Sequence, residues 1–229
     1  MTGYLSFNAT VAESIDFKSE APDEDKPLSC AWTLWEQSQA SGAAATNSGN
    51  YADCMSEVVT FKSINQFWSM FSNIPQPSIL LQNKRIVAQA NSESRSVSSL
   101  MIFRQGVRPE WEDPTNREGG HIHFQFKQAT PPGMLDEYWN NLVLALIGNT
   151  LEPADGEYLP VIQGIRLVDK ILAQPRQGGV RIEVWFTKPI DDRHVPYLRT
   201  LLISTMTLRM DGTHSQNPRS EVRYHSTQE

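Results

Sequence analysis

The chain has 229 residues, enough for one domain with a sizeable core, and carries a formal charge of −6. That balance argues against a protein that wraps duplex nucleic acid, whose affinity comes from many phosphate contacts, and restricts any nucleic-acid role to a local pocket. No apolar run reaches bilayer-spanning length, no charged-then-apolar leader is present, and the 2 cysteines, Cys30 and Cys54, are too few for a disulfide framework or a cysteine zinc site. Both lie in or beside apolar, strand-like segments and are expected as buried thiols.

Residues 1–25 carry acids at Glu13, Asp16, Glu20, Asp23, Glu24 and Asp25 with few periodic apolar positions, which predicts a disordered acidic tail ahead of one ordered domain over 26–229. Cys30 to Trp35 alternates as a strand, and the low-complexity stretch 37–50 predicts a flexible loop that ends at Tyr51. Residues 55–61 read as a second strand. Ser63 is placed to cap a helix that runs to about Asn73 and stops at Pro75 and Pro77. After a strand at 100–103, residues 104–120 form a Pro- and Gly-rich loop of a length that is usually functional or disordered. His121 to Lys127 alternates strictly. The stripe Leu135, Tyr138, Trp139, Leu142, Val143, Leu146 and Ile147 predicts a helix over about 134–147. Strands at 159–168 and 180–187, a helix at about 191–207 and a short strand at 221–225 complete the pattern. The mixture predicts an α+β fold: a single curved, mainly antiparallel sheet with three helices on its convex face and a ligand pocket on the concave side.

Three tryptophan segments carry the functional signal: Trp32-Thr-Leu-Trp35, Pro109-Glu-Trp111-Glu112-Asp113, and Trp185 in the strand that begins at Val180. An exposed indole beside a carboxylate suits a flat, cationic, hydrogen-bond-donating ring. The cation stacks on the indole face with about 2 kcal/mol when desolvated, and the ionised carboxylate accepts the ring's N–H groups. These residues point to recognition of a methylated guanine at a nucleic-acid end. In the 180–186 strand, alternation puts Ile182, Val184 and Phe186 on one face and Arg181, Glu183 and Trp185 on the other. His121 and His123 share one face with no third ligand evident, and Ser204 and Thr205 have no convergent His–acid pair. Neither metal chemistry nor an enzymatic site is expected.

Lys26-Pro27-Leu28, Trp32-x-x-Trp35, Phe67-Trp68, Trp111-Glu112-Asp113 followed by Asn116-Arg117 and Gly119-Gly120, Trp139, Leu146-Ile147-Gly148 and Trp185 occur in that order. The series resembles the mRNA cap-binding translation initiation factor 4E family over about residues 26–210. The resemblance implies eight strands, and it implies a role for particular residues. Trp111 and Tyr51 would sandwich the 7-methylguanine, Tyr51 because it stands seventeen residues before Trp68. Glu112 would accept from the guanine N1 and N2 hydrogens, and Trp185 would pack against the methyl group. Arg181 and Lys170 align with phosphate-binding cations, and Arg176 lies in a longer connection between them, where it would replace or supplement Lys170.

The resemblance also implies a second site, for a scaffold protein of the initiation factor 4G type or a 4E-interacting protein carrying Tyr-x-x-x-x-Leu and a further apolar residue. Pro27, Leu28, Ile64, Trp68, Leu144 and Gly148 fit that face; Asn140 and Asn141 depart from the family pattern and imply an atypical partner or a shifted mode. The implied role is to link capped mRNA to a translation-initiation scaffold, in the cytoplasm with the nucleus as a second compartment, without a cofactor or a membrane. Tyrosine at 51 and the two asparagines also allow a cap-binding repressor or storage factor. A protein-interaction module with a degenerate pocket is the alternative of another class, and a capped-RNA-processing enzyme is the weakest.

Overall fold

The computed structural model describes residues 4–8, 10, 25–38, 54–90, 93–151, 161–171, 178–189, 191 and 193–225. Eight strands, β1 (Pro27–Ser38), β2 (Met55–Ser63), β3 (Ile86–Ala90), β4 (Glu93–Arg104), β5 (Gly120–Lys127), β6 (Ile162–Asp169), β7 (Gly179–Phe186) and β8 (Ser220–Tyr224), form one sheet. Its order is β2-β1-β4-β6-β7-β5-β8, with β3 added along β4, and every pairing is antiparallel. The helices are α1 (Ile64–Phe71), the single turn α2 (Ser78–Leu81), α3 (Pro132–Ile147) and α4 (His194–Thr207). The expected antiparallel eight-stranded α+β architecture is therefore present, with α2 as a fourth short helix. Neither α2 nor β3 is evident in the sequence, because four or five residues give too little periodicity.

Strand alternation sorts side chains between two clusters. Leu34, Ile102, Ile122, Phe124, Ile165, Leu167, Ile182, Val184 and Phe186 meet Phe67, Leu135, Trp139, Leu142, Val143 and Leu202 of the helices in the main core. Their neighbours in sequence, Trp35, Met101, Phe103 and Trp185, form a smaller cluster on the other face. Each fully buried large apolar side chain contributes roughly 1.5–3 kcal/mol, so the helix-covered face supplies most of the stability. The opposite face is left with polar groups as well: Arg166, Glu183, His121 and His123 are all buried there.

Two readings of residues change. The cysteines are free and half-buried, not fully buried, and Arg104 donates to Cys30 Sγ from Nη1 (2.9 Å). Asp136 and Glu137 are buried and accept hydrogen bonds from the N-terminal segment. That segment, residues 4–8, was assigned to the disordered tail; it lies instead against α3, where Asn140 Nδ2 donates to Leu5 O (2.7 Å). The charge run from Glu13 to Glu24 falls outside the described residues, as do Tyr51 and residues 39–50 of the expected 37–50 loop, whose first two residues, Gln37 and Ser38, belong to β1.

Candidate functional site

The loop over 105–119 connects β4 to β5 and carries Trp111 and Glu112. Its shape comes from short polar side chains. Asp113 accepts from the backbone N–H of Arg108 (2.9 Å) and of Thr115 (2.8 Å). Buried Asn116 donates from Nδ2 to Arg108 O (2.8 Å) and Glu110 O (3.0 Å). The loop is tied to the sheet by Thr187 Oγ1, which donates to Thr115 O (2.6 Å). It ends at Gly119, where a Cβ would stand 1.9 Å from Phe186 O, so only glycine lets the chain enter β5 against β7.

This framework presents Trp111 to solvent, 58% exposed, with the exposed carboxylate of Glu112 beside it. Glu112 has no partner among the described residues. One face of the Trp111 ring stacks on His225 (6.0 Å between centroids, 15°). His225 packs in turn on Trp185 (4.4 Å, 52°), whose ring also lies over His121 (5.6 Å, 20°). The result is a layered aromatic floor with an accessible indole at its edge.

The protons of this floor can be assigned from its partners. His225 Nδ1 lies 3.0 Å from Asn116 O, a carbonyl that only accepts, so Nδ1 carries the hydrogen. In a neutral ring its Nε2 then accepts from His121 Nδ1–H, 3.0 Å away. Both rings are held neutral: burial pushes His121 down to about 4 and lowers His225 as well. His123, beside them, is also lowered by burial. Among the described residues no group of three or more His, Cys, Asp or Glu side chains is arranged to hold a metal ion.

Next to the floor is a charged cluster. Glu183, buried on β7, accepts from Trp185 Nε1–H (3.2 Å) and faces Arg166 (3.7 Å) and Arg181 (3.5 Å). Burial opposes its ionisation but is outweighed, foremost by Arg166 and then by its other neighbours, so its carboxyl lies below the ordinary glutamate range. Arg166 is fixed further by donating to Gln37 Oε1 (2.7 Å) and Ser99 Oγ (3.2 Å). Lys170 is half-buried near Arg181; burial first, then that guanidinium, lowers its pKa. Lys170 and Arg181 thus stand at the same end of β6 and β7. Arg176 lies outside the described residues.

Of the residues assigned to ligand binding, the structure brings Trp185, Arg181 and Lys170 to the face that the Trp111–Glu112 loop borders. Glu183, Arg166 and His225 are additions. Glu183 could be read from its shared face with Arg181 and Trp185. His225 could not, because its place depends on β8 pairing with β5, a contact distant in sequence.

The second group is divided. Trp68 is 38% exposed on α1, Pro27 and Gly148 are exposed, and Leu28, Ile64 and Leu144 are half-buried. Asn140 is fully buried, donating to Leu5 O and to Gln76 Oε1 (2.7 Å). Asn141 joins α3 to the end of α4 by donating to Met206 O (3.1 Å) and Leu208 O (2.6 Å). Both amides that depart from the family pattern are therefore used within the chain.

No helix of the described residues is long and apolar enough to cross a membrane. The family model for eukaryotic initiation factor 4E matches residues 27–228. A Schizosaccharomyces pombe protein, eukaryotic translation initiation factor 4E-2, is 32% identical over 169 residues, covering 74% of this chain and 56% of that protein. The Saccharomyces cerevisiae initiation factor 4E is 31% identical over 177 residues, covering 77% of this chain and 68% of the relative. The match spans 56% to 66% of the length of the first three such relatives. Among solved structures, Ascaris suum eIF4E-3 in complex with an m7G cap has the same fold, with a TM-score of 0.62 at 24% identity over 90% of this chain and 96% of that one. Caenorhabditis elegans eIF4E-3 with the 4E-binding protein Mextli and a cap analog gives 0.60 at 21%, over 88% and 94%. With the family model covering nearly every residue from β1 onward, the chain belongs to the eukaryotic initiation factor 4E family.

Proposed function

We propose that this protein binds the 7-methylguanosine cap of mRNA and links it to a translation-initiation scaffold in the cytoplasm. The observation that carries the reading is the exposed Trp111 indole with the exposed Glu112 carboxylate beside it, on a loop held by Asn116 and Thr187. Methylation makes the guanine ring cationic, and a cationic ring gains from an indole face what a neutral ring does not. Tyr51 is the second stacking ring in this reading. Glu112 accepts from N1–H and N2–H, a charge-assisted pair stronger than neutral hydrogen bonds. Trp185, 1% exposed beneath His225, supports the floor on the methyl side, and Arg181 and Lys170, with Arg176 in the neighbouring connection, meet the triphosphate. The related structures named above are complexes with cap and with a 4E-binding protein, which supports both the ligand and the partner class. No step of this role requires an enzyme.

Titration of the intrinsic fluorescence with 7-methyl-GTP and with GTP tests the reading. Strong quenching by the methylated ligand alone is expected. Trp111→Ala should weaken binding by about 5- to 150-fold, the equivalent of 1–3 kcal/mol of stacking, and Glu112→Ala by a similar factor. Equal binding of both nucleotides, or unchanged affinity in both variants, would overturn it. For the partner, Pro27, Leu28, Ile64, Trp68, Leu144 and Gly148 provide the helix-side surface; Trp68→Ala should abolish capture of a peptide carrying Tyr-x-x-x-x-Leu-Leu.

A further inference from the structure

Residues 4–8 run over the helices on the face opposite the Trp111 loop, and they are held there by five hydrogen bonds to side chains of α3, α2 and the turn before α2. Glu137 Oε1 accepts from Leu5 N–H (3.2 Å), and Asp136 Oδ2 accepts from Ser6 Oγ–H (2.5 Å). Asn140 Nδ2 donates to Leu5 O (2.7 Å). Gln76 Oε1 accepts from Phe7 N–H (3.4 Å), and Ser78 Oγ from Asn8 Nδ2 (2.7 Å). Asp136, Glu137 and Asn140 sit on successive turns of α3 and are fully buried. Asp136 also accepts from Ser78 N–H (2.7 Å) and Asn140 also donates to Gln76 Oε1 (2.7 Å), so the segment adds hydrogen bonds to side chains that it covers, each of them worth about 1 kcal/mol. The aromatic half of the contact is Phe7, which meets Trp68 and Phe71 edge-on (6.0 Å to each). At the other end the Arg209 guanidinium lies over the Tyr4 ring (5.5 Å).

We infer that residues 4–8 are an intramolecular ligand of the helix face, and that a helical partner peptide gains Trp68 only by displacing them. The claim of displacement rests on the partner reading given above; the docking itself rests on the hydrogen bonds alone. Both occupants need the same indole, since Phe7 covers part of Trp68 and the scaffold motif is expected to place an apolar residue there. The segment is suited to leave. It is short, Phe7 remains 40% exposed, and Trp68 remains 38% exposed. A partner's apparent affinity is then its intrinsic affinity reduced by the fraction of molecules whose site is uncovered.

The test uses the full chain and a fluorescent peptide carrying Tyr-x-x-x-x-Leu-Leu, read by anisotropy, with wild type compared to Ser6→Ala/Phe7→Ala. If the segment covers about nine molecules in ten, the double variant binds about tenfold more tightly, with 7-methyl-GTP affinity unchanged. In wild type, the Leu5 and Phe7 amides are protected from hydrogen exchange and lose that protection when the peptide is added. Equal peptide affinity in both proteins, or amides that stay protected under saturating peptide, overturns displacement. If neither protein binds the peptide, the partner reading fails and displacement with it. Leu5 and Phe7 amides that exchange freely without peptide overturn the docking independently.

Discussion

Burial pushes the His121 imidazole down to about 4, with Glu183 opposing and the charges of His225, His123 and Arg181 reinforcing the shift. In an unfolded chain the same ring titrates near 6.5. Between those values the unfolded state binds a proton that the folded state refuses, so stability is full above about 6.5 and is lost as pH falls toward 4. His123 and His225, also lowered by burial, act with the same sign. Asp136 and Glu137, raised by burial, act with the opposite sign. Comparison with His121→Phe therefore isolates the share of that imidazole between pH 7 and 5. Urea denaturation is expected to show a loss of roughly 2 kcal/mol from His121 alone across that window, and His121→Phe should flatten the profile. Profiles for wild type and His121→Phe that run parallel over the window would contradict the neutral assignment of the floor.

At the scale of elements, α1 shows how far the sequence could be read. Ser63 was expected to cap it, and its hydroxyl does accept from Gln66 N–H, but at 3.4 Å. Asp25, the last residue assigned to the acidic tail, makes the better cap: Oδ1 accepts from Asn65 N–H (3.0 Å) and Oδ2 from Ser63 Oγ–H (2.6 Å). The helix, its stripe, its stop and its Ser63 cap are legible because they follow local rules; the added Asp25 cap is not, because it comes from 40 residues away. The same division applies to the site. Trp111, Glu112, Trp185 and Arg181 are legible from residue type, spacing and strand alternation. His225 depends on strand pairing and Asn140 on docking of residues 4–8, and neither contact leaves a periodic trace. Because a carboxylate at a helix N-terminus both caps and opposes the dipole, Asp25→Ala should cost about 1 kcal/mol. Asp25→Asn should lose less, and equal denaturation midpoints for Asp25→Ala and wild type would assign the cap to Ser63.

For the whole molecule, the charge of −6 and the sheet topology bear on the same question. A chain of net charge −6 that takes the proposed ligand would hold it through few phosphate contacts. With Lys170 and Arg181 as the two phosphate contacts of the proposed site, log K for a short capped RNA should fall with log salt at a slope of about −1.4. Arg181→Ala should reduce the slope to about −0.7. A slope near −2.1 would add Arg176 as a third contact, and one several times steeper would mean that the RNA body is gripped as well. The helices contribute nothing to this term, since the cations lie across the sheet from them, and a partner on the helix face should leave the slope unchanged.

The strand that supports Trp111 is also the last in the sheet order, joined to the rest through β5. His225 follows it directly, held by its own N–H to Gly119 O (3.0 Å) and by its ring to Asn116 O. Sheet margins open locally at lower free energy than central strands. Each fraying of this margin removes the ring under the indole and a tether of the loop at once. A ligand that prefers the closed arrangement must slow that fraying in proportion to its occupancy. Ligand affinity and the breathing of the sheet's edge are in this way a single equilibrium.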